Sequence, residues 1–354
     1  MQNGKNLVNL MPKDNWLVDI ADVDVGGDYH RVIIGGIPIP KGLSAFEMRH
    51  LITSEFDSLR SLMIAPPMGH EDMCANLTFP STSSEAPFGQ VIMECMGYPY
   101  FSGSNTAATL FALMEAGMLP KSEGSNKITH EVPAGLIQAT ATVKNNVIEE
   151  MIVEGDASYV INPKIRLALP DFGKVDVALV WSGALFATVD AEQFGLKINT
   201  ADFAKMKAIG LAICEAIEPD FEATHPSLGP LEAPKFVNFL GPISQAGPDK
   251  FESTGAIYGH PNTIFRCPTG TGTAARMAYE LEKGRMQAND QLTNTSPIGT
   301  QFVGHGLGLT EKAGLPMLRV NISSRPYTLM RTQMNVDFQN PSLSQFSNLR
   351  SFGH

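Results

Sequence analysis

Hydrophobic positions along this chain recur with two different periods. Runs such as RVIIGGIPI (31–39), APFGQVIMEC (86–95), GLIQATATV (135–143) and VIEEMIVEG (147–155) are short, rich in β-branched residues and bounded by Gly, Pro, Asn or Asp. That is how strands are written. KVDVALVW (174–181), ALFATVD (184–190) and FVNFL (236–240) continue the pattern. Two stretches follow the helical period instead. SAFEMRHLITSEFDSLRSLMI (44–64) places Phe46, Leu51, Ile52, Phe56 and Leu59 at helical spacing and predicts one long helix. DFAKMKAIGLAICEAIE (202–218) predicts a second, with Phe203, Met206, Ile209, Leu211 and Ile213 on a broad apolar face.

A further device occurs twice. SGSNTAATLFALMEAG begins at Ser102 and TGTGTAARMAYELEKG at Thr269, 167 residues later. In each, a hydroxyl, a glycine, a second hydroxyl and one small residue precede Thr-Ala-Ala, and the segment closes on Gly117 or Gly284. Leu110, Phe111 and Met114 correspond to Met277, Ala278 and Leu281, an apolar stripe suited to one face of a helix. Each copy therefore reads as a turn that feeds a helix. Each half of the chain owns one long helix, one helix opened by the repeated turn, and several strands. The expected fold class is α+β, with two pseudo-symmetric domains facing each other across a cleft. The first runs over residues 1–162, where INPK interrupts the pattern, and the second over 163–324. The terminal segment 325–354, containing RPYTLMRTQMNVDF, is expected to return as a strand to the first domain.

At 354 residues the chain exceeds one average core, in keeping with two domains. Charged residues make up 18% and the net charge is −10, without a basic run, so nucleic acid and anionic membrane surfaces are not expected partners. A small molecule is. The opening stretch MQNGKNLVNLMPKDNW lacks the apolar core of a signal peptide, and no run approaches about 18 apolar residues, so a cytoplasmic location is expected. Cys74, Cys95, Cys214 and Cys267 show neither zinc-ligand spacing nor a disulfide framework and read as reduced thiols. GTGTAA lacks the order of a dinucleotide or P-loop fingerprint. No cofactor and no metal are expected, and a homodimer is left open.

The chemistry of the repeated turn follows from helix ends. The first amides of a helix have no partner and lie at the positive end of its dipole, so a glycine-rich turn there cradles anions. Ser104, Thr271 and Thr273 can add hydroxyl donors. Two such ends facing one another would grip one carboxylate from both sides. Ser102 and Thr269 would then flank the atom beside it.

These segments resemble the proline racemases, hydroxyproline epimerases and trans-3-hydroxyproline dehydratases, whose fold is shared with diaminopimelate epimerase. Motifs of the types HTGGEP, GHxDM, NEGYSxMCGHxT, GGxFYAxVDxxxLGL, DRSPxGTGTxAR and IGTxFxG appear in order. Here they read DVGGDY (24–29), GHEDM (69–73), CMGYPYFSGSNT (95–106), SGALFATVDAEQFGL (182–196), FRCPTGTGTAAR (265–276) and IGTQFVG (298–304). The resemblance implies mostly antiparallel sheets, each wrapped round a central helix, with the active site between the domains. It also implies two catalytic cysteines on the facing turns, where this chain carries Ser102 and Thr269. In the family, serine at the first position occurs in epimerases and threonine at the second marks dehydratases.

Both thiols are therefore replaced. General base work near neutral pH needs a group whose pKa lies close by, and a hydroxyl is far less acidic than a thiol. Cys267 and Cys95 stand near the two positions, though a buried structural role suits them better. The family's His of MCGH and Asp of DRSP, which hold the ring nitrogen, correspond to Ser104 and Phe265. A secondary ammonium there loses roughly 1 to 3 kcal/mol for each group left unpaired. Phe265, with Tyr98, Tyr100, Phe101 and Trp181, suggests an aromatic pocket for a methylated ammonium or a ligand with no amine.

The expected activity is that of a cofactor-independent isomerase or lyase at the carbon α to a carboxylate of a proline-like substrate, leaning to dehydration because of Thr269. The carboxylate would rest on Gly103, Ser104, Asn105, Gly270 and Thr271, with Phe265 beside the nitrogen and His70 and Asp72 of GHEDM near the cleft. Two other readings stand beside it: a ligand-binding protein that kept the cleft and lost the acid and base, and an allylic isomerase of unsaturated carboxylates.

Overall fold

The computed structural model describes residues 15–70 and 72–353. Most of the opening stretch read for targeting, and Glu71 of GHEDM, lie outside the described residues. Among them no helix is long and apolar enough to cross a membrane.

The two halves repeat one path. In the first, Asn15–Val25 and Asp28–Gly35 form an antiparallel hairpin. The chain crosses through α1 (Ala45–Glu55) and α2 (Ser58–Ile64) to Cys74–Pro80, parallel to Asp28–Gly35. It turns back into Phe88–Met93 and crosses through α3 (Gly103–Glu115) to Gly124–Val132, parallel to Phe88–Met93. The second half does the same. Gly173–Trp181 and Leu185–Asp190 form the hairpin, and α4 (Phe203–Ile217) leads to Phe236–Gly247, parallel to Leu185–Asp190. Lys250–Gly259 returns antiparallel, and α5 (Gly270–Glu282) leads to Gln291–Thr295, parallel to Lys250–Gly259. A parallel pair needs such a crossover, and a helix supplies it. The repeated turn is thus the entry to the second crossover of each half.

The outer strands complete the architecture. Pro326–Asp337 pairs antiparallel with Asn15–Val25, as Tyr159–Leu169 does with Gly173–Trp181. Leu315–Ser324 pairs with Val147–Glu154 and makes the 17 strands one continuous sheet. The class is α+β, with mostly antiparallel sheet wrapped round two central helices.

Several sequence readings change on contact with the packing. The helix expected over 44–64 is two helices, broken at Phe56 and Asp57. The break lets the Asp57 carboxylate meet Arg60 and the Tyr98 hydroxyl. Phe46, read as part of the apolar face, is exposed and stacks on Tyr100, while Ala45, Met48 and Ile52 face the core. The stripe expected on α3 is not a stripe either. Every residue from Gly103 to Met114 is buried, as a helix surrounded by sheet requires. The proposed boundary at residue 162 falls inside Tyr159–Leu169, where the register shifts between Val160 and Asn162 and again between Asn162 and Ile165. The asparagine and proline of INPK make bulges in a continuing strand.

Candidate active site between two helix N-termini

Ser102 and Thr269 are the N-cap residues of α3 and α5. The two helix starts meet: a Cβ on Gly103 would lie 3.9 Å from the Gly270 Cα, and one on Gly270 would lie 3.6 Å from the Gly103 Cα. Among the described residues the amides of Gly103, Ser104, Gly270 and Thr271 have no acceptor. An added methyl at either glycine would thus sit in ordinary contact with the facing turn.

A cavity opens beside this meeting point. Ser102, Ser104, Asn105, Thr269, Thr271 and Phe265 line it, together with Cys74, Glu94 and the rings of Phe101, Phe186 and Phe236. Its volume is about 30 Å³, room for at least one water. The cavity is narrow and partly open. A second, larger cavity of about 640 Å³ adjoins it and shares Glu94, Pro99, Ala184 and Phe236 with it. Tyr98, Tyr100 and Trp181, expected near the ligand, line this outer space together with Arg49 and Lys235.

The expected residues separate into two groups. Ser102, Ser104, Asn105, Phe265, Thr269 and Thr271 share the inner cavity, with Gly103 and Gly270 directly behind it. His70 and Asp72 do not join them. Both are exposed, and neither lines either cavity; Asp72 accepts from the Thr263 hydroxyl at 3.4 Å. His70 and Asp72 follow α2 in the chain, and both face solvent.

Behind Ser102 runs a buried polar network. The Asn105 amide donates to Ser102 Oγ at 3.0 Å and to Glu94 Oε1 at 2.8 Å, and Asn105 Oδ1 meets His30 Nδ1 at 3.1 Å. The Cys74 thiol reaches Glu94 Oε1 at 3.6 Å. The sheet register explains the grouping, since His30 is opposite Cys74 on neighbouring strands and Glu94 ends the strand beside Cys74. Burial pushes the Glu94 carboxyl up to about 7 against the pull of its Asn105 and Cys74 hydrogen bonds. Burial also pulls His30 down to about 4, so its ring is neutral.

Behind Thr269 the contacts are of another kind. Thr269 Oγ1 accepts from the Gly272 amide at 2.8 Å, and the Thr269 amide donates to Cys267 Sγ at 3.1 Å. Asp28 accepts from the Arg266 and Cys267 amides and is pushed up to about 6 by burial. Burial raises the Cys267 and Cys74 thiols well above the ordinary thiol range. Cys95 is raised for the same reason and contacts Met96 and Thr263. Neither Cys95 nor Cys267 is among the residues that line the inner cavity.

Sequence reading missed Glu94, Cys74, Phe186 and Phe236. One signal was available: Glu94 is the single acid in the buried run FGQVIMEC, and a carboxyl at the end of such a strand needs a reason. The two phenylalanines carried none, being indistinguishable from core residues of ALFATVD and FVNFL. What the assembled cavity offers is a seat for one anion, a hydroxyl on each side, one carboxyl and an aromatic wall.

The family model described as proline racemase matches residues 20–347. A protein of Chromohalobacter salexigens is 34% identical over 92% of this chain and 90% of its own length. The 4-hydroxyproline 2-epimerase of Streptosporangium roseum is 30% identical over 88% of this chain and 92% of its own. Among solved structures, a hydroxyproline epimerase from Agrobacterium vitis with bound trans-4-hydroxy-L-proline superposes with a TM-score of 0.84 at 26% identity, covering 92% of this chain and 94% of that one. With its motifs in order, its two crossovers per half and a family match over nearly its whole length, the chain belongs to the proline racemase family.

Proposed function

We propose that this protein is a cofactor-independent isomerase acting at the carbon α to the carboxylate of a proline-like acid. The observation that carries the reading is the convergence of two helix N-termini with free first amides on one small cavity. A carboxylate seated on Gly103, Ser104, Gly270 and Thr271 meets four N–H donors. As the α-proton leaves, charge moves onto the carboxylate oxygens, where preorganised donors stabilise it most. The narrowness of the cavity, about 30 Å³, limits the water that can compete for those donors.

The nitrogen side differs from that of a plain amino acid site. Phe101, Phe186, Phe236 and Phe265 supply ring faces and edges where an ammonium N–H would need acceptors. This favours a substrate methylated at nitrogen, held by cation–π contact. The adjoining 640 Å³ cavity leaves room for a substituent.

The test is α-proton exchange in D2O, followed by NMR, over L-proline, 3- and 4-hydroxyprolines, their betaines and unsaturated diacids. The expected result is exchange with inversion on a proline-like member, reduced at least about tenfold in Ser102→Ala. Loss of a 3-hydroxyl would identify the dehydratase that threonine at position 269 suggests by resemblance. Turnover-free binding would identify a binding protein, and a shifted double bond an allylic isomerase.

A further inference from the structure

We infer that Glu94, not either hydroxyl of the repeated turns, is the base that removes the α-proton. The inference rests on the isomerase reading above. It begins from placement. Glu94 is the carboxylate that borders both the inner and the outer cavity, at their junction, yet only 4% of its surface is exposed. Both of its side-chain hydrogen bonds fall on Oε1, from Asn105 and Cys74. Among the described residues Oε2 has no donor, which leaves it for the cavity.

The hydroxyls are poorly suited to the same task. Ser102 Oγ accepts from the Asn105 side-chain amide and backbone N–H and meets the Ser104 hydroxyl at 3.4 Å, and among the described residues no base stands within hydrogen-bond reach to take its proton. Thr269 Oγ1 is occupied by the Gly272 amide. A carboxyl held near neutrality by burial needs no activation.

The step balances within the site. Glu94 Oε2 takes the α-proton, the C–H bond breaks, and its electron pair enters the enediolate held by the helix amides. Returned from Glu94, the proton restores the starting configuration; inversion takes a solvent proton on the opposite face of the enediolate, and Glu94 gives its own proton to solvent. Asn105 positions the group by holding Oε1 while it also holds Ser102. The groups facing Glu94 are the Cys74 thiol from the neighbouring strand, Asn105 from α3 with His30 behind it, and the Asp28 carboxyl and Cys95 thiol, both of which oppose a second negative charge. Of Glu94, Arg60 bonds the backbone carbonyl and not the carboxyl.

The experiment compares wild type, Glu94→Gln and Glu94→Asp in the D2O exchange assay from pH 5 to 9, with binding of pyrrole-2-carboxylate measured alongside. Glu94→Gln should lower exchange by about 100-fold or more and keep binding within a few fold. Wild-type exchange should rise with pH through about 7, and Glu94→Asp, which keeps a carboxylate, should retain a titrating profile at reduced rate. Exchange by Glu94→Gln at the wild-type rate overturns the role of Glu94 alone. Binding lost in parallel with turnover makes Glu94 an anchor for the substrate ammonium and overturns it too. If Glu94→Gln does not fold, a Glu94→Asp profile without titration near neutrality overturns it equally. Wild-type protein inert on every substrate overturns the isomerase reading and this one together.

Discussion

The turns at Ser102 and Thr269 share a sequence pattern and a place in the fold, and they have diverged in what they do. Ser102 sits in ordinary extended backbone, φ −152° and ψ 124°, and its hydroxyl is held loosely, at 3.5 Å from the Asn105 amide N–H and 3.0 Å from the Asn105 side chain. Thr269 has φ 52° and ψ 143°, a conformation that costs a β-branched residue of order 1–3 kcal/mol. That strain persists because the second turn is fastened on all sides. Asn238 donates to the Gly272 carbonyl at 3.0 Å, Ser182 to the Thr271 carbonyl at 2.8 Å, and the Thr273 hydroxyl to the Thr269 carbonyl at 2.8 Å. One turn feeds a polar relay, and the other is a rigid wall.

The fourth residue of the device decides between them. Asn105 in SGSN carries an amide that reaches Ser102, Glu94 and His30 at once. Gly272 in TGTG carries nothing, so the Thr269 hydroxyl caps the backbone directly at 2.8 Å. A repeated binding device can therefore keep its anion-seating half, which is backbone, while its proton-handling half, which is side chain, survives on one side only.

Substitutions at this fourth position test the contrast most severely. In Gly272→Ala the new Cβ would lie 2.4 Å from Thr269 Oγ1 and 2.6 Å from Ile257 Cδ1. The expected loss is about 3 kcal/mol of stability, read as a lower urea midpoint; an unchanged midpoint would show that the second turn is not rigid. Asn105→Ala should cost less stability, about 1 to 2 kcal/mol for the partners left unpaired. It should also slow α-proton exchange by more than its effect on stability explains, because Ser102 and Glu94 lose their common donor. Equal exchange in the variant and wild type would separate the relay from the chemistry.

A further contrast is in the pH dependence of stability. The folded-state values of Glu94, about 7, and Asp28, about 6, lie above those of exposed carboxyls. The stability they contribute is complete below the unfolded value and lost as pH rises through 6 to 7. His30 and His130 are both pulled down to about 4 by burial, so their contribution is present above 6.5 and lost as pH falls towards 4. Glu94→Gln removes the first loss only. Relative to wild type its stability should rise by a few kcal/mol between pH 4 and pH 8, measurable as a Tm difference that grows with pH. A Tm difference that does not change with pH would mean that Glu94 ionises freely in the folded protein.

The chain itself determined the pseudo-symmetry, the two helix-opening turns, most strands of the first half and the family. These depend on local spacing: glycine and hydroxyls before an apolar helix, β-branched runs between turn residues, motifs in a set order. It also determined that neither turn carries a thiol. Tertiary structure decided the rest, because the remaining features pair residues that are distant in sequence. The expected helix over 44–64 breaks where Asp57 meets Tyr98, 41 positions away. INPK interrupts nothing, since Gly173–Trp181 holds the bulged strand in place. His70 and Asp72 left the candidate site and Glu94 entered it, although all three lie in readable motifs. Whether a carboxyl faces solvent or a narrow cavity is settled by which strands pair and what covers them, and its pKa, and with it its chemistry, follows from that burial.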